Sequence, residues 1–366
     1  MEIIGFSPVQ KMFFSPWRNI YYKTINIMKT TQNNNEGLNV LSLFDGISCA
    51  KLALKKAGIK INKYYSSEIC PNALAIQNYH YSGDTNHIQL GDVRKIYSSD
   101  LWDEVDLVIF GSPCTNLSSI NPSDRRGLKG TESRLFYEAL KILSEIYVFM
   151  PSGKKLYFLM ENVASMTSKD RDIITNELSQ IFGNIQLVKI NSADVAPANR
   201  RRLYWTNIPN VGIPEPKEIK YHDIIVNGYV DKEKANVLLG SNITLTNGIF
   251  RYYKMNLGNL IYKDKEFADL TTEQKLLEYP FILNKSGYVG KSRSAFGEYD
   301  FPNGCYRLPS ILECERLMTI PDGYVADVPN VSKTNKLKAI GLAMTVDVVA
   351  GLLEKLKGNN LIQSNV

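Results

Sequence analysis

The sequence predicts an α/β protein with a doubly wound, mainly parallel sheet and a smaller β-rich domain. Over residues 38–207, short apolar runs alternate with segments of helical periodicity, which is typical of parallel strands joined by helices. Residues 208–300 differ, because prolines mark a boundary and short Thr-, Tyr- and Ile-rich runs with many Asn and Gly residues follow. Helical periodicity returns at 310–319 and 336–357. The chain therefore predicts one large domain that a smaller domain interrupts.

Each element of the α/β domain has a local signal. The strands are short runs of apolar, β-branched and aromatic residues, and 106–110 (DLVIF) is apolar enough to be a buried strand. The helices repeat apolar residues at helical spacing; Gly58 closes the first helix, and Pro71 stands in the first turn of the second. A short third strand is expected before Gly91. The other elements, in chain order, are strand 38–44, helix 48–58, strand 63–68, helix 71–79, strand 106–110, helix 132–149, strand 155–161, helix 168–182 and strand 185–190.

The predicted organisation divides the chain into five segments. They are an N-terminal arm (1–37), the first part of the α/β domain (38–207), the smaller domain (208–300), the return to the α/β domain (301–357) and a tail (358–366). The arm has apolar and basic patches interrupted by prolines, and Met28 offers a second start before the polar leader to the first strand.

Composition excludes several classes of protein. The 366 residues are 44% hydrophobic and 22% charged, which suits a folded chain with a sizeable core. Five cysteines without a CxxC motif argue against a disulfide framework, and the three histidines have no metal-ligand spacing, so no metal is expected. No apolar run approaches the roughly 20 residues of a membrane span. The net charge of +6 permits a polyanionic partner without requiring one.

The residues after the first three strands predict a cofactor that carries adenosine. Ligands of doubly wound sheets bind beyond the carboxyl ends of the strands. The turn 45–48 (Asp-Gly-Ile-Ser) opens a helix and presents free backbone amides to an anionic group. It lacks the GxGxxG fingerprint, which disfavours a nicotinamide enzyme. Glu68 can accept two ribose hydroxyls, and Asp92 can accept an adenine amino hydrogen.

The residues after the next strands predict nucleophilic chemistry at the same edge. Ser112-Pro113-Cys114 follows the fourth strand, and Glu161-Asn162-Val163 ends the fifth. A thiol at this edge can act as a thiolate nucleophile, although a free cysteine is more often a small buried hydrophobe. Arg200-Arg201-Arg202 then leads into another strand. Beside a thiol and a carboxyl group, arginines suit an electron-rich ring or phosphates; alone, they are ordinary surface charge.

In this order, the motifs resemble those of the S-adenosylmethionine-dependent DNA cytosine-5 methyltransferases. The resemblance covers residues 38 to about 357 and implies the class I methyltransferase fold with a target-recognition domain at 208–300. The stretches 112–138 and 159–173 look most like the de novo DNA methyltransferase branch and its bacterial and phage relatives. The motifs are Phe44-Asp45-Gly46, Glu68, Asp92, Ser112-Pro113-Cys114, Glu161-Asn162-Val163, Arg200-x-Arg202, Arg307, Glu313-Cys314-x-Arg316-Leu317-Met318 and Gly341 to Val346.

The resemblance implies a mechanism for methylating cytosine at C5. Because C5 is a poor nucleophile in an aromatic ring, Cys114 would first add to C6 and make C5 enamine-like. Glu161 would hold or protonate N3, and Asn162 would fix the geometry of that carboxyl group. Arg202 would bind the O2 carbonyl, and Arg200 would support it or a phosphate. The target base must leave the helix to reach such a pocket.

The resemblance also implies where S-adenosyl-L-methionine and double-stranded DNA bind. The cofactor residues are Phe44 and Ile69 beside the adenine, Asp45, Gly46, Ile47 and Ser48 at the amino-acid end, Glu68 at the ribose, Asp92 and Val93 at the adenine edge, Ser112 and Pro113, and Ala343, Met344, Thr345 and Val346 at the methionine side. The DNA residues are Ser118, Arg125, Arg126 and Lys129 in the loop 115–130, where Gly127 and Gly130 would give mobility, and Lys285, Lys291 and Arg293 in 284–293. Residues 251–254 (Arg-Tyr-Tyr-Lys) fit a DNA contact or a solvated strand equally well.

The chain departs from the family pattern at positions that remove no reacting group. Ser48 replaces a usual glycine, Leu342 a usual asparagine, and Ala198-Asn199 stands where a glutamine is common.

Duplex DNA is the implied partner of a monomeric, cytoplasmic enzyme in a bacterial or phage-infected cell. Its role would be restriction–modification or protection of phage or host DNA, with a cognate restriction endonuclease left open.

Two other functions stay open. An RNA methyltransferase of the same fold is the second hypothesis; the transfer-RNA branch usually carries Pro-Pro-Cys followed by Gln, whereas Ser112 and Thr115 stand at those positions here. A non-catalytic DNA-binding protein on this scaffold is the third hypothesis. The presence of the thiol, the carboxyl group and the arginine together disfavours it.

Overall fold

The structure is a computed structural model that describes residues 37–113, 117, 127–130, 133–238, 251–278, 297–302 and 304–359. Within these ranges, none of the helices has the length and apolar character needed to span a bilayer. The strands are β1 (Leu38–Leu43), β2 (Ile61–Ser67), β3 (His87–Gln89), β4 (Leu107–Phe110), β5 (Tyr157–Val163), β6 (Gln186–Asn191), β7 (Arg201–Thr206), β8 (Ile261–Tyr262) and β9 (Tyr306–Arg307).

A seven-stranded sheet in the order β3-β2-β1-β4-β5-β7-β6 forms the centre of the large domain. The strands from β1 to β5 pair in parallel, and the last four residues of β1 are fully buried because both faces of the sheet are covered. The mainly parallel, doubly wound sheet predicted from the sequence is confirmed.

β7 runs antiparallel between β5 and β6. Its register pairs Val163 with Arg202 and Asn162 with Leu203. The strand predicted at 185–190 corresponds to β6, and it contacts β7 rather than β5. The start of β7 therefore lies beside the carboxyl end of β5, at the edge where ligands of such sheets bind.

Helices cover both faces of the sheet. The longer helices are α1 (Cys49–Lys56), α2 (Pro71–Tyr81), α3 (Leu135–Phe149) and α4 (Ser168–Phe182); the shorter or later ones are α5 (Lys265–Asp269), α6 (Thr272–Glu278), α7 (Ile311–Leu317), α8 (Lys333–Leu342) and α9 (Val346–Leu353). One apolar cluster packs α1, α2 and α9 against Leu107 and Ile109, and the other packs α3 and α4 against Val108 and Phe110. Because side chains alternate along β4, these two clusters lie on opposite faces.

The smaller domain is not β-rich in the part that the structure describes. Between residues 208 and 300, β8 is the one strand of this part, and it pairs with β9 beyond residue 300, whereas α5, α6 and 251–255 are helical. Its tyrosines surround a buried ion pair: Asp231 accepts hydrogen bonds from Tyr252 in the helical segment 251–255 and from Tyr262 in β8, and it pairs with Lys275 at 3.0 Å. A Tyr-rich composition therefore does not by itself indicate strands in this domain.

A buried ion pair joins the smaller domain to the large one. Arg307 Nη1 lies 2.7 Å from Glu313 Oε2, and both side chains are at most 2% exposed. Glu313 also accepts the backbone N–H groups of Val226 and Ser310. Burial alone would raise the pKa of Glu313, but the hydrogen bonds from Arg307 and the backbone hold it below its usual value. The ion pair therefore ties β9, which pairs with β8, to the start of α7, and the domain boundary near residue 301 stays a prediction.

Candidate active site

The turn after β1 is strained at the carboxyl edge of the sheet. Phe44, Gly46 and Ser48 have φ angles of +55°, +59° and +60°. Glycine adopts this left-handed region readily, whereas residues with a Cβ atom need support from their surroundings, and such strain is concentrated at functional sites. The sequence placed the cofactor's amino-acid end at this turn, and the strain is consistent with that proposal.

The side chain of Asp45 holds the turn from the inside. It is 8% exposed, so its carboxylate faces the interior, and only the backbone of the turn is left for the predicted cofactor contact. Its hydrogen-bond donors are neutral: the hydroxyls of Ser42, Ser48, Tyr64 and Ser66 at 2.5–2.8 Å and the amide of Gln77 at 3.1 Å. The Ser48 hydroxyl thus offsets part of the cost of a left-handed serine at a position where the family usually has glycine.

Glu68 ties the end of β2 to the same turn. Its carboxylate accepts the backbone N–H groups of Gly46 at 2.7 Å, Ile69 at 2.8 Å and Cys70 at 2.7 Å. A carboxylate has about four acceptor positions, so this conformation leaves about one. The predicted pair of bonds to two ribose hydroxyls therefore requires Glu68 to give up one of its backbone partners.

Asp92 and Val93 each contact groups within the protein. Asp92 Oδ2 lies 2.5 Å from Arg94 Nη2, and its Oδ1 accepts the Arg94 backbone N–H at 3.0 Å. These hydrogen bonds lower the pKa of Asp92 to about 2. Val93 is buried in an apolar cluster, and the contact of Asp92 and Val93 with the adenine edge stays a prediction. Ile69, by contrast, is 60% exposed and leaves an apolar surface that a planar ring can cover.

The ends of β4 and β5 bring Gly111 against Glu161. Phe110 pairs with Met160, so the next residues of the two strands are neighbours. A Cβ atom at Gly111 would lie 3.2 Å from Glu161 Oε2 and 3.2 Å from Met344 Cε. The missing side chain at Gly111 therefore lets the carboxylate approach the backbone that leads to Ser112-Pro113-Cys114.

Glu161 is ion-paired across the two antiparallel strands. Arg202 Nε lies 2.6 Å from Glu161 Oε1, and the two side chains are 14% and 13% exposed. Asn162 is 1% exposed and donates to the carbonyl and hydroxyl oxygens of Ser112, both at 3.2 Å. Asn162 therefore fixes the backbone before Cys114. The sequence had instead predicted that it fixes the Glu161 carboxyl group. Cys114 itself lies outside the described residues.

Arg200 does not face this carboxylate. It is 6% exposed, and its guanidinium donates to the carbonyls of Gly341 at 3.2 Å and Ala343 at 2.8 Å. The prediction that it supports the base or a phosphate is therefore wrong for this conformation. Backbone carbonyls at the end of α8 lack helical partners, and Arg200 satisfies them. Arg200 thus links the start of β7 to the turn between α8 and α9.

The turn between α8 and α9 contains an unsatisfied hydroxyl. Thr345 is 2% exposed, and its Oγ1 has no hydrogen-bond partner among the described residues. Leaving such a group unpaired costs about 1–3 kcal/mol, so this position suits a polar group of a ligand. Ala343 and Val346 are buried beside it, and Met344 approaches Gly111. These residues fit the amino-acid end of the predicted cofactor.

The residues predicted to contact DNA are mostly outside the described part of the chain: Ser118, Arg125, Arg126, Lys285, Lys291 and Arg293. Lys129 ends the short 3-10 turn Gly127–Lys129, which is anchored by Asp170 at the start of α4. Gly127 has a φ of +62°, and a Cβ atom there would lie 2.6 Å from Asp170 Oδ1. Gly127 thus combines a left-handed backbone with a close contact to Asp170, and its predicted role in loop mobility stays a prediction.

The aromatic residues of 251–254 belong to the core of the smaller domain. Tyr252 is 5% exposed and bonds to Asp231, and the Tyr253 hydroxyl lies 2.8 Å from that of Tyr262. The interpretation of these rings as nucleic-acid contacts is therefore wrong.

The residues that hold the turn 45–48 were not predicted from the sequence. Tyr64 and Gln77 both bond to Asp45, and Gln77 also donates to the Gly46 carbonyl at 2.6 Å. One signal in the sequence was Ser66, a small polar residue near the end of a predicted strand. It lies two positions after Tyr64 and therefore on the same face of β2, and both side chains bond to Asp45.

Comparisons with known proteins identify the family of this chain and proteins that it resembles. A family model described as C-5 cytosine-specific DNA methylase matches residues 38–358. The orphan methyltransferase M.Rho11sI of Bacillus phage rho11s is 29% identical over 231 residues, which are 62% of this chain and 40% of the phage protein. The DNA (cytosine-5)-methyltransferase DRM2 of Oryza sativa subsp. japonica is 36% identical over 122 residues, which are 31% of this chain and 20% of the rice protein.

This chain spans less than half the length of these curated relatives. A solved structure, the S. pombe Dnmt2 methyltransferase, is similar to the described fold with a TM-score of 0.61 and 17% sequence identity. The similarity covers 88% of this chain and 99% of that one. At this identity the likeness concerns the fold alone.

Proposed function

This chain belongs to the C-5 cytosine-specific DNA methylase family, and we propose that it transfers a methyl group from S-adenosylmethionine to C5 of cytosine in a specific sequence of duplex DNA. The observation that carries this proposal is the Glu161–Arg202 ion pair of 2.6 Å, which lies beside Gly111, three positions before Cys114 in the sequence. It combines a carboxyl group for the ring nitrogen with a cation for the neighbouring carbonyl.

Cys114 is the proposed nucleophile. Its thiolate forms a bond to C6 of the cytosine, and the electron pair of the C5–C6 double bond becomes available at C5. Glu161 stabilises the added charge by holding or donating a proton at N3, and Arg202 donates to O2. When bound, S-adenosylmethionine supplies an electrophilic methyl group to C5. Transfer of the C5 proton to a base from solvent then expels Cys114 as a thiolate and restores the aromatic ring.

Residues on two turns would hold the cofactor. The backbone of 45–48, supported by Asp45, binds its amino-acid end, and the buried hydroxyl of Thr345 gains the hydrogen-bond partner that it lacks among the described residues. Ile69 offers an exposed apolar surface for the adenine ring. Arg200 contributes indirectly, because it fixes the carbonyls of the turn that contains Thr345.

The proposed substrate is a cytosine flipped from duplex DNA. A base inside the stack cannot present C6 to a thiol and C5 to a methyl donor, so extrusion is required. The predicted contacts in 115–130 and 284–293 carry basic side chains for the phosphate backbone. The biological role proposed is sequence-specific modification, in restriction–modification or in protection of phage or host DNA.

Transfer of a labelled methyl group tests the function. The purified full chain is incubated with labelled S-adenosylmethionine and either duplex DNA of mixed sequence or transfer RNA. We expect label in the C5 position of DNA cytosine, and none with Cys114→Ala, which should still bind DNA. Label in RNA alone would replace the proposal with the RNA hypothesis, and binding of DNA without any transfer would favour the non-catalytic one.

A further inference from the structure

A tyrosine from beyond α7 contacts the cofactor turn. The Tyr324 hydroxyl donates to the Ile47 carbonyl at 2.8 Å, between the left-handed residues Gly46 and Ser48. Tyr324 is 6% exposed, and its ring stacks on His80 at a centroid distance of 4.0 Å and an interplanar angle of 2°. His80 Nε2 also lies 2.6 Å from the Tyr324 carbonyl. The ring and the backbone of Tyr324 are therefore both fixed.

Glu315 on α7 holds the segment that carries Tyr324. This carboxylate is fully buried and accepts the backbone N–H groups of Gly323, Val325 and Ala326. Lys336 on α8 donates to the Ala326 carbonyl at 2.6 Å. The segment 323–326 is therefore attached to two helices, and Tyr324 can act as a rigid support.

The phenolic proton of Tyr324 belongs to the bond with Ile47. A phenol has one proton, and a carbonyl oxygen can only accept. The Tyr81 hydroxyl, 3.2 Å away, can then donate to the Tyr324 oxygen. Burial raises the pKa of Tyr324 well above its usual value, so this donor stays protonated at any working pH.

We propose that Tyr324 is a positioning residue for cofactor binding: its hydroxyl fixes the Ile47 carbonyl and thereby orients the backbone amides of 45–48. The inference rests on the proposed function, because it takes this turn to be the cofactor site. Three of the five residues from Phe44 to Ser48 have positive φ angles, so the turn needs outside support to keep this conformation. Tyr324 supplies that support from a segment remote in sequence.

The test is cofactor affinity after removal of one hydroxyl. Tyr324→Phe keeps the ring on His80 and deletes the bond to Ile47. Calorimetric titration should show that its Kd for S-adenosylmethionine rises about three- to tenfold, the range of one neutral hydrogen bond. In steady-state assays KM for the cofactor should rise similarly, whereas kcat and KM for DNA should change less than about twofold.

Tyr65→Phe is the matched control. It also removes a partly buried tyrosine hydroxyl from the large domain, but that hydroxyl bonds to Glu104, which makes no contact with the turn. Tyr81→Phe is a milder second variant, expected to raise the cofactor Kd about twofold because it removes the group that supports the Tyr324 oxygen. It keeps the test decisive if Tyr324→Phe does not fold.

Three outcomes would overturn the inference. They are unchanged cofactor affinity in folded Tyr324→Phe, an equal loss of affinity in Tyr65→Phe, or unchanged affinity in Tyr81→Phe when Tyr324→Phe is unfolded. Failure of the wild-type chain to bind S-adenosylmethionine would instead overturn the proposed function itself, and the role of Tyr324 with it.

Discussion

Arg202 Nε lies 2.6 Å from Glu161 Oε1 because β7 runs antiparallel to β5 and begins where β5 ends. Arg202 lies at the start of β7 and Glu161 near the end of β5, so the fold brings together two residues that are 41 positions apart in the sequence. Each side chain is about 13–14% exposed, so the pair is sheltered but still reachable from solvent. The proposed mechanism uses this pair at the N3 and O2 edge of the cytosine ring.

Glu161→Gln should remove catalysis with little effect on the fold. The amide keeps the shape of the side chain but cannot supply a proton to N3, so kcat should fall by about 10²–10⁴-fold. The Kd for S-adenosylmethionine should change less than about twofold, because the carboxylate is assigned to the base. Glu177→Gln, on α4, is the control and should keep wild-type kcat. Wild-type kcat in Glu161→Gln would remove Glu161 from the mechanism.

Arg200→Lys separates a structural role from a phosphate contact. Lysine cannot reach both carbonyls of the α8–α9 turn, so the free energy of unfolding should fall by about 2 kcal/mol in urea titrations. The slope of log Kobs against log salt for DNA binding should stay unchanged, since Arg200 is buried on Gly341 and Ala343. A slope reduced by about one would restore the phosphate contact predicted from the sequence.

Substitutions at Ser48 measure how the turn tolerates a side chain. Ser48→Ala keeps the left-handed strain and loses the 2.7 Å bond to buried Asp45, which should cost about 1.5–3 kcal/mol of unfolding free energy. Ser48→Gly loses the same bond but relieves the strain, so it should be more stable than Ser48→Ala by about 1 kcal/mol. Chemical denaturation measures both, with exposed Ser99→Ala as the neutral control. Equal stability of the two variants would contradict the strain at this position.

Gly127→Ala and Gly153→Ala form a matched pair. Both glycines have a positive φ, but a Cβ atom at Gly127 would lie 2.6 Å from Asp170 Oδ1, whereas one at Gly153 would meet nothing within 4 Å. Gly153→Ala should therefore cost about 1 kcal/mol of unfolding free energy, and Gly127→Ala about 1–3 kcal/mol more. If the two variants are equally stable, Gly127 is not needed for the contact with Asp170.

His87 should give the stability of the fold a pH dependence. Burial, followed by repulsion from Lys51, lowers its pKa to about 4, against about 6.5 in an unfolded chain. Between these values the unfolded state binds more protons, so the unfolding free energy rises with pH from about 4 to about 6.5 and gains nothing further above.

The size of this rise should be about 1–2 kcal/mol, discounted because His87 is only half-buried. His87→Phe keeps the ring stacking on Tyr64 and Tyr81 and should flatten the pH profile by that amount. An unaltered slope in His87→Phe would show that other groups cause the dependence.

The sequence predicts the sheet and the order of its motifs because both depend on local patterns. Strand ends can be located from apolar runs, and the rule that ligands bind beyond them points to Glu161 and Ser112 without any structure. The directions of side chains depend on non-local contacts. Asp45, Asp92 and Arg200 each bind a group within the protein, and nothing in their local sequence distinguishes an inward carboxylate or guanidinium from a ligand contact.

The smaller domain illustrates the same limit. Its Tyr-rich runs have the composition of strands, but the hydroxyls of Tyr252 and Tyr262 are used to satisfy Asp231, which is paired with Lys275. Such a buried polar centre is formed by residues up to 44 positions apart, so no window of local periodicity contains it. The hydrogen bond from Tyr324 to the Ile47 carbonyl joins residues 277 positions apart, so local periodicity does not predict it either.

The most direct test of the proposed mechanism is covalent trapping on duplex DNA that carries 5-fluorocytosine at the methylated position. Fluorine cannot leave C5 as a proton does, so the bond between Cys114 and C6 should persist after methyl transfer. We expect a protein–DNA adduct on a denaturing gel with the wild-type chain and S-adenosylmethionine, and none with Cys114→Ala. Methylation of ordinary duplex DNA without an adduct on the fluorinated duplex, or an adduct that persists in Cys114→Ala, would contradict attack by Cys114 on C6.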